Sequence, residues 1–120
     1  MVEPHEDIDQ LAAEFAACQK ILLALGDANR QHLIVEMMGM DHCGGSRVGD
    51  ITEHTHLSRP AVSHHLQILK DAGILKVRKE GTKNYYYFDA DLEAMDRLIG
   101  MLRHARKIMA QLPDRSGTKC

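Results

Sequence analysis

The chain has 120 residues, enough for one domain with a modest core, and 44% hydrophobic with 27% charged residues is the composition of an ordinary globular domain. No run of about 18 apolar residues occurs and the acidic opening MVEPHEDIDQ lacks a signal peptide's apolar centre, so the expectation is a cytoplasmic protein with no membrane partner. A net charge of −2 argues against a nonspecific nucleic-acid coat.

Residues 1–7 read as a flexible, solvated tail. Ile8, Leu11, Phe15, Cys18, Leu22 and Leu25 then recur three and four apart, which predicts one amphipathic helix with a seam narrow enough for another helix. Gly26 ends it. Asp27 is placed to cap a second helix over residues 28–38, with Leu33, Ile34, Met37 and Met38 on its apolar side. Residues 40–49 form a loop by composition. A short third helix is expected at 48–55, with Val48, Ile51 and His54 facing inward, and His56-Leu57 as a tight connection.

Residues 57–88, LSRPAVSHHLQILKDAGILKVRKEGTKNYYYF, carry the strongest local signals. Ser58 is an N-cap and Pro60 fits a first helical turn. Val62, Leu66 and Leu69 recur at helical spacing and give one buried face. Gly73 sits where a helix end wants a left-handed residue. Residues 74–78 and 84–88 are β-prone, and residues 79–83 between them read as a hairpin turn. Asp89-Ala90-Asp91 is capping chemistry for a last helix over residues 91–112. That helix has two apolar stripes: Leu92, Met95, Ile99, Leu102 and Met109, and Leu98, Met101, Ala105, Ile108 and Leu112. Two stripes imply burial against its own domain and against a second copy, or else a thick core within one chain. Pro113 ends the helix, and residues 113–120 read as a flexible tail. The domain proper spans residues 8–112.

Two short, closely joined helices followed by a basic-tipped hairpin predict a mainly α (α+β) winged helix-turn-helix. Charge follows that reading. Residues 1–15 carry five carboxylates and no Lys or Arg, a net of −5. Residues 58–88 carry six Lys and Arg against two carboxylates, a net of +4, where phosphate contacts need it. With Val62, Leu66 and Leu69 inward, Pro60, Ser63, His64 and Gln67 point out, flanked by Ser58, Arg59 and Lys70. Ser, His and Gln read base edges, and Arg and Lys bind phosphate or guanine. Lys79, Thr82 and Lys83 at the hairpin tip suit a minor-groove or phosphate contact. Polar outer faces and hairpin tips are common, so each surface alone means little; their combination carries the expectation of double-stranded DNA as partner.

The segments ALGDANRQHLIVEMM (24–38) and 57–88, with the closing helix, resemble the ArsR/SmtB family of winged-helix repressors from about Leu22 to about Met109. The resemblance implies four helices, two strands and a fifth helix, with the helix at 58–72 in the major groove and the hairpin as wing. It implies a homodimer joined through the first and last helices, where Leu11, Phe15, Leu92, Met95, Ile99, Leu102 and Met109 lie. It further implies repression from an inverted-repeat operator, relieved by an inducer. A thiol-responsive or non-sensing regulator, or a winged-helix protein-interaction module, are the alternatives.

Neither metal site familiar in that family is present. The cysteine pair at the start of the third helix is reduced to Cys43, and the positions matching the last-helix site hold Ala90, Leu92, Arg103 and Arg106, with His104 one residue out of place. A metal ion as cofactor would need another shell: His42 and Cys43 are adjacent borderline ligands that His5 or Asp41 would complete, although adjacent residues rarely supply a whole shell. Cys18 and Cys43 are the candidate redox pair, Cys18 lying on an apolar seam where a buried thiol is the default. Cys18, Cys43 and Cys120 are odd in number and far apart, and no CxxC occurs, so neither a disulfide framework nor a zinc ribbon is signalled. No catalytic constellation appears: Ser63 and His64 are helix neighbours that cannot aim at each other. The chain is not expected to be an enzyme.

Overall fold

The computed structural model describes residues 4–117. Residues 1–3 of the expected tail, and the end of the other with Cys120, lie outside them. The order is α1 (Pro4–Ala17), α2 (Gln19–Leu25), α3 (Ala28–Gly39), α4 (Val48–Glu53), α5 (Arg59–Asp71), β1 (Leu75–Glu80), β2 (Lys83–Phe88) and α6 (Glu93–Gln111).

The expected first helix is corrected in two ways. It begins at Pro4 rather than Ile8, and it breaks at Cys18. There the Cys18 amide is shared between the carbonyls of Glu14 (3.0 Å) and Phe15 (3.1 Å). The buried thiol turns inward, so α2 can follow the core while α1 lies along α6.

Asp27 caps α3 as its position predicted, accepting the amides of Asn29 (2.9 Å) and Arg30 (3.1 Å). Those bonds, that to Arg30 first, hold its carboxyl below the usual carboxylate range. The expected third helix, α4, ends two residues early, at Glu53. His54 is exposed rather than inward, because its Nδ1 meets the Asp50 carbonyl at 2.9 Å outside the core. Ile51 alone of that helix is fully buried.

Val62, Leu66 and Leu69 are buried as the spacing predicts, against Ala24, Leu33, Ile51 and Leu75. α5 ends in a Schellman pattern: Ile74 N–H reaches the Leu69 carbonyl (3.1 Å) and Gly73 N–H that of Lys70 (3.0 Å). Gly73 has φ +82°, and a Cβ there would stand 3.2 Å from that of Ala94. Both requirements select glycine.

The hairpin is longer than expected. β1 and β2 pair antiparallel from Leu75↔Phe88 to Glu80↔Lys83, leaving a two-residue loop, Gly81-Thr82, with φ +62° at the glycine. The loop before α4 adds a bridge to it: Ser46 and Tyr86 exchange both backbone bonds at 2.8 Å. α6 packs one stripe inward, with Leu98, Met101 and Ala105 buried.

Candidate nucleic-acid interface

α4 and α5 pack as a helix-turn-helix, and the hairpin stands beside them as a wing. Ser58 caps α5 by accepting the Ala61 amide (3.3 Å), and Pro60 occupies the first turn. Every expected reading residue of α5 is exposed: Ser58, Arg59, Pro60, Ser63, His64, Gln67 and Lys70. So are Lys79, Thr82 and Lys83 at the wing tip. The same helix thus presents a polar outer face because its inner face is fixed by three buried aliphatics.

The cations divide into two kinds. Arg59, Lys70, Lys79 and Lys83 form no ion pair among the described residues. Arg78 and Lys76 are engaged. Arg78 donates to the Gly44 carbonyl at 2.6 Å and to Glu80 at 3.1 Å, and lies 4.8 Å from the centre of the Tyr85 ring. Lys76 pairs with Asp89 at 3.5 Å. Gln67 is held along the helix by Asp71 at 2.9 Å, which orients its amide on the outer face. Of the tyrosines, Tyr86 is buried, Tyr85 half-buried and Tyr87 exposed, as alternation on a strand requires.

One supporting residue escaped the sequence reading. Arg30 is buried, and its guanidinium donates to the carbonyls of Leu23 (2.8 Å) and Ala24 (2.9 Å) and to His65 Nδ1 (3.2 Å). It closes the end of α2 and locks that end onto the back of α5. Because guanidinium only donates, His65 Nδ1 is the bare nitrogen and Nε2 carries the proton. Burial pushes the His65 pKa below the usual imidazole value, with Arg30 and His64 adding to the effect and Asp27 opposing it.

The histidine that fell one place from the family's metal position has another task. His104 on α6 is bonded through Nε2 to Asp7 (2.6 Å) and through Nδ1 to Glu14, both on α1. The carboxylates sit at opposite ring nitrogens, so one ion cannot bind all three. Among the described residues no group of three or more His, Cys, Asp and Glu side chains has metal-holding geometry. His42 bonds Ser46 Oγ at 3.1 Å. Cys18 is buried at the α1–α2 junction and Cys43 is exposed in the loop; both are free thiols.

Of the expected dimer residues, Leu11 and Met95 are half-buried against the core. Phe15 (39% exposed), Leu92 (60%), Ile99 (38%), Leu102 (52%) and Met109 (67%) lie open. Along α6, Ile99, Leu102 and Met109 form the second stripe, beside the buried one. Among the described residues no helix is long and apolar enough to cross a membrane.

Buried helix-turn-helix core, exposed polar reading face and basic-tipped hairpin together define a winged helix-turn-helix protein. Comparison with known proteins gives the same class. The family described as "bacterial regulatory protein, arsR family" matches residues 44–77. An uncharacterised HTH-type transcriptional regulator (MJ1325) of Methanocaldococcus jannaschii is 38% identical over 78 residues, 65% of this chain and 84% of that one. The transcriptional repressor SdpR of Bacillus subtilis is 35% identical over 87 residues, 72% of this chain and 91% of that one. The chain belongs to the ArsR family of transcriptional regulators. These relatives are named as regulators and repressors, not as enzymes. The fold agrees with a crystallised ArsR family regulator (RHA00566) at a TM-score of 0.64 and 17% identity, covering 79% of this chain and 92% of that one.

Proposed function

We propose that the chain is a homodimeric transcriptional repressor that binds an inverted-repeat operator and is released by an effector. The observation that carries this reading is the charge partition at the reading face. Arg59, Lys70, Lys79 and Lys83 stand exposed and without ion pairs among the described residues, on the two elements a winged helix sets against DNA. Relatives support repression: the B. subtilis protein is named a transcriptional repressor, and an arsenical resistance operon repressor of Staphylococcus aureus is 35% identical over 66 residues. The exposed α6 stripe supports a second copy. On this reading residues 8–112 are one DNA-binding and dimerisation unit, acting in the cytoplasm.

Ser63, His64 and Gln67 read base edges; Arg59, Lys70, Lys79, Thr82 and Lys83 hold phosphates; Ser58 and Pro60 set the approach of the helix. Fluorescence anisotropy on DNA from upstream of the gene separates the roles. Ser63→Ala with His64→Ala lowers affinity for the operator by about 2–4 kcal/mol while leaving random DNA unchanged. Lys79→Ala with Lys83→Ala weakens both and lowers the salt slope by about 2. If neither pair changes operator binding, the reading surface is elsewhere.

A further inference from the structure

We propose that the cleft at the root of the wing binds a small organic cation made of one ring-sized apolar body and an ammonium group. Where α2, α3, the turn between α5 and β1, the end of β2 and the start of α6 meet, they leave a cavity of about 150 Å³. Leu25, Ile34, Ile74, Phe88 and Met95 are among its walls, and Asp89 and Asp91 stand at its side. A cleft of that volume with apolar walls accepts a benzene-sized ring.

The same Asp89 and Asp91 line a second, polar depression of about 250 Å³ that continues over Asp71, Glu93 and Arg97. Its charges do not cancel. Glu93 is taken by Arg97 at 2.6 Å, and Asp89 is reached by Lys76 at 3.5 Å. Asp71 is reached only by the neutral Gln67 amide at 2.9 Å, and Asp91 has no cationic partner among the described residues. An apolar chamber thus opens beside an uncompensated anionic shelf. A ligand with a ring and a positive head satisfies both; a neutral analogue satisfies only the chamber, and a carboxylate is repelled at the shelf.

The cavity's position gives the site a consequence. Ile74 and Phe88 are the root of the wing, Leu92 is the N-cap of α6 and Met95 lies in its first turn. A molecule wedged between them bears on the wing and on the long helix together, so it suits the effector that releases the operator. That consequence rests on the proposed repressor function; the site itself does not.

The test is a methyl-resolved NMR titration of the full chain, without DNA, using three probes that share a ring. Phenethylammonium shifts the methyls of Ile34, Ile74 and Met95 saturably. 2-Phenylethanol does so about fivefold more weakly, the size of one solvent-exposed charge pair. Phenylacetate does not bind. Asp91→Asn, an exposed change, brings the cation to the alcohol's affinity. Ile34→Phe fills the chamber and removes binding of both the cation and the alcohol; should that variant not fold, Asp91→Asn decides alone. The proposal is overturned by no saturable shift at those methyls, by equal affinity for the three probes, or by an unchanged cation preference in Asp91→Asn. Because no operator is present, each of these results leaves the repressor reading standing, and a failed operator titration leaves the site standing.

Discussion

His104 and His65 are pulled in opposite directions, and the reasons are local. The hydrogen bonds to Asp7 and then Glu14 raise the His104 pKa above its ordinary value of 6.5, since the imidazolium donates from both nitrogens. Burial beside Arg30 lowers that of His65. A two-dimensional NMR titration of the histidine rings therefore shows His104 titrating above about 6.5 and His65 below it. The linkage signs differ too. The His104 clasp contributes fully below about pH 6.5 and is lost as pH rises through its raised folded value. The neutral His65 contributes above about pH 6.5 and is lost as pH falls through its lowered one. Histidine to glutamine at position 104 removes the first dependence and leaves the second. None of this was legible in the sequence, because Asp7 and Glu14 lie 97 and 90 residues from His104 and no periodicity links them. Gly45 was equally silent. Its φ of +105° and a virtual Cβ only 2.9 Å from the Tyr86 carbonyl mean that Gly45→Ala loosens the Ser46–Tyr86 bridge, at a cost of about 1–3 kcal/mol in urea unfolding.

At the scale of elements, the reading head was the most legible part. Val62, Leu66 and Leu69 combine helical spacing with burial, and Ser58 and Gly73 bound the helix by local preference, so cap, face and stop agree. The first helix was misread because Ile8 through Leu25 keep one apolar spacing across Cys18, and spacing does not record a kink. Arg30 was missed because two of its partners are backbone carbonyls, which carry no side-chain signature, and the third, His65, lies 35 residues away. It has a large role between elements: Arg30→Ala leaves the Leu23 and Ala24 carbonyls without their buried donor and frees α2 from the back of α5. The expected loss is about 3 kcal/mol, read as a lower urea midpoint, with Arg30→Lys intermediate because an ammonium cannot span all three acceptors.

The molecule measures 60 × 30 × 22 Å, with a radius of gyration of 18.7 Å. A compact chain of this length has about 14 Å. An elongated protomer with an open apolar stripe on α6 fits the proposed dimer. The two stripes were legible from the 3.6-residue period; which one turned inward was not, because that depends on how α1 lies along α6. Leu102→Glu with Met109→Glu changes only exposed positions of the protomer, so it leaves the far-ultraviolet spectrum and the α1–α6 clasp intact while sedimentation moves from dimer to monomer. It also weakens operator binding, since each protomer then meets one half-site alone.

The most direct test of the account is an anisotropy titration of the unmodified chain against its own upstream DNA and a scrambled duplex, repeated across a salt series. The account predicts two protomers per operator, a preference for the operator of about a thousandfold or more, and an affinity that falls linearly on a log–log salt plot. Equal, salt-insensitive binding to both duplexes, or none to either, would contradict it.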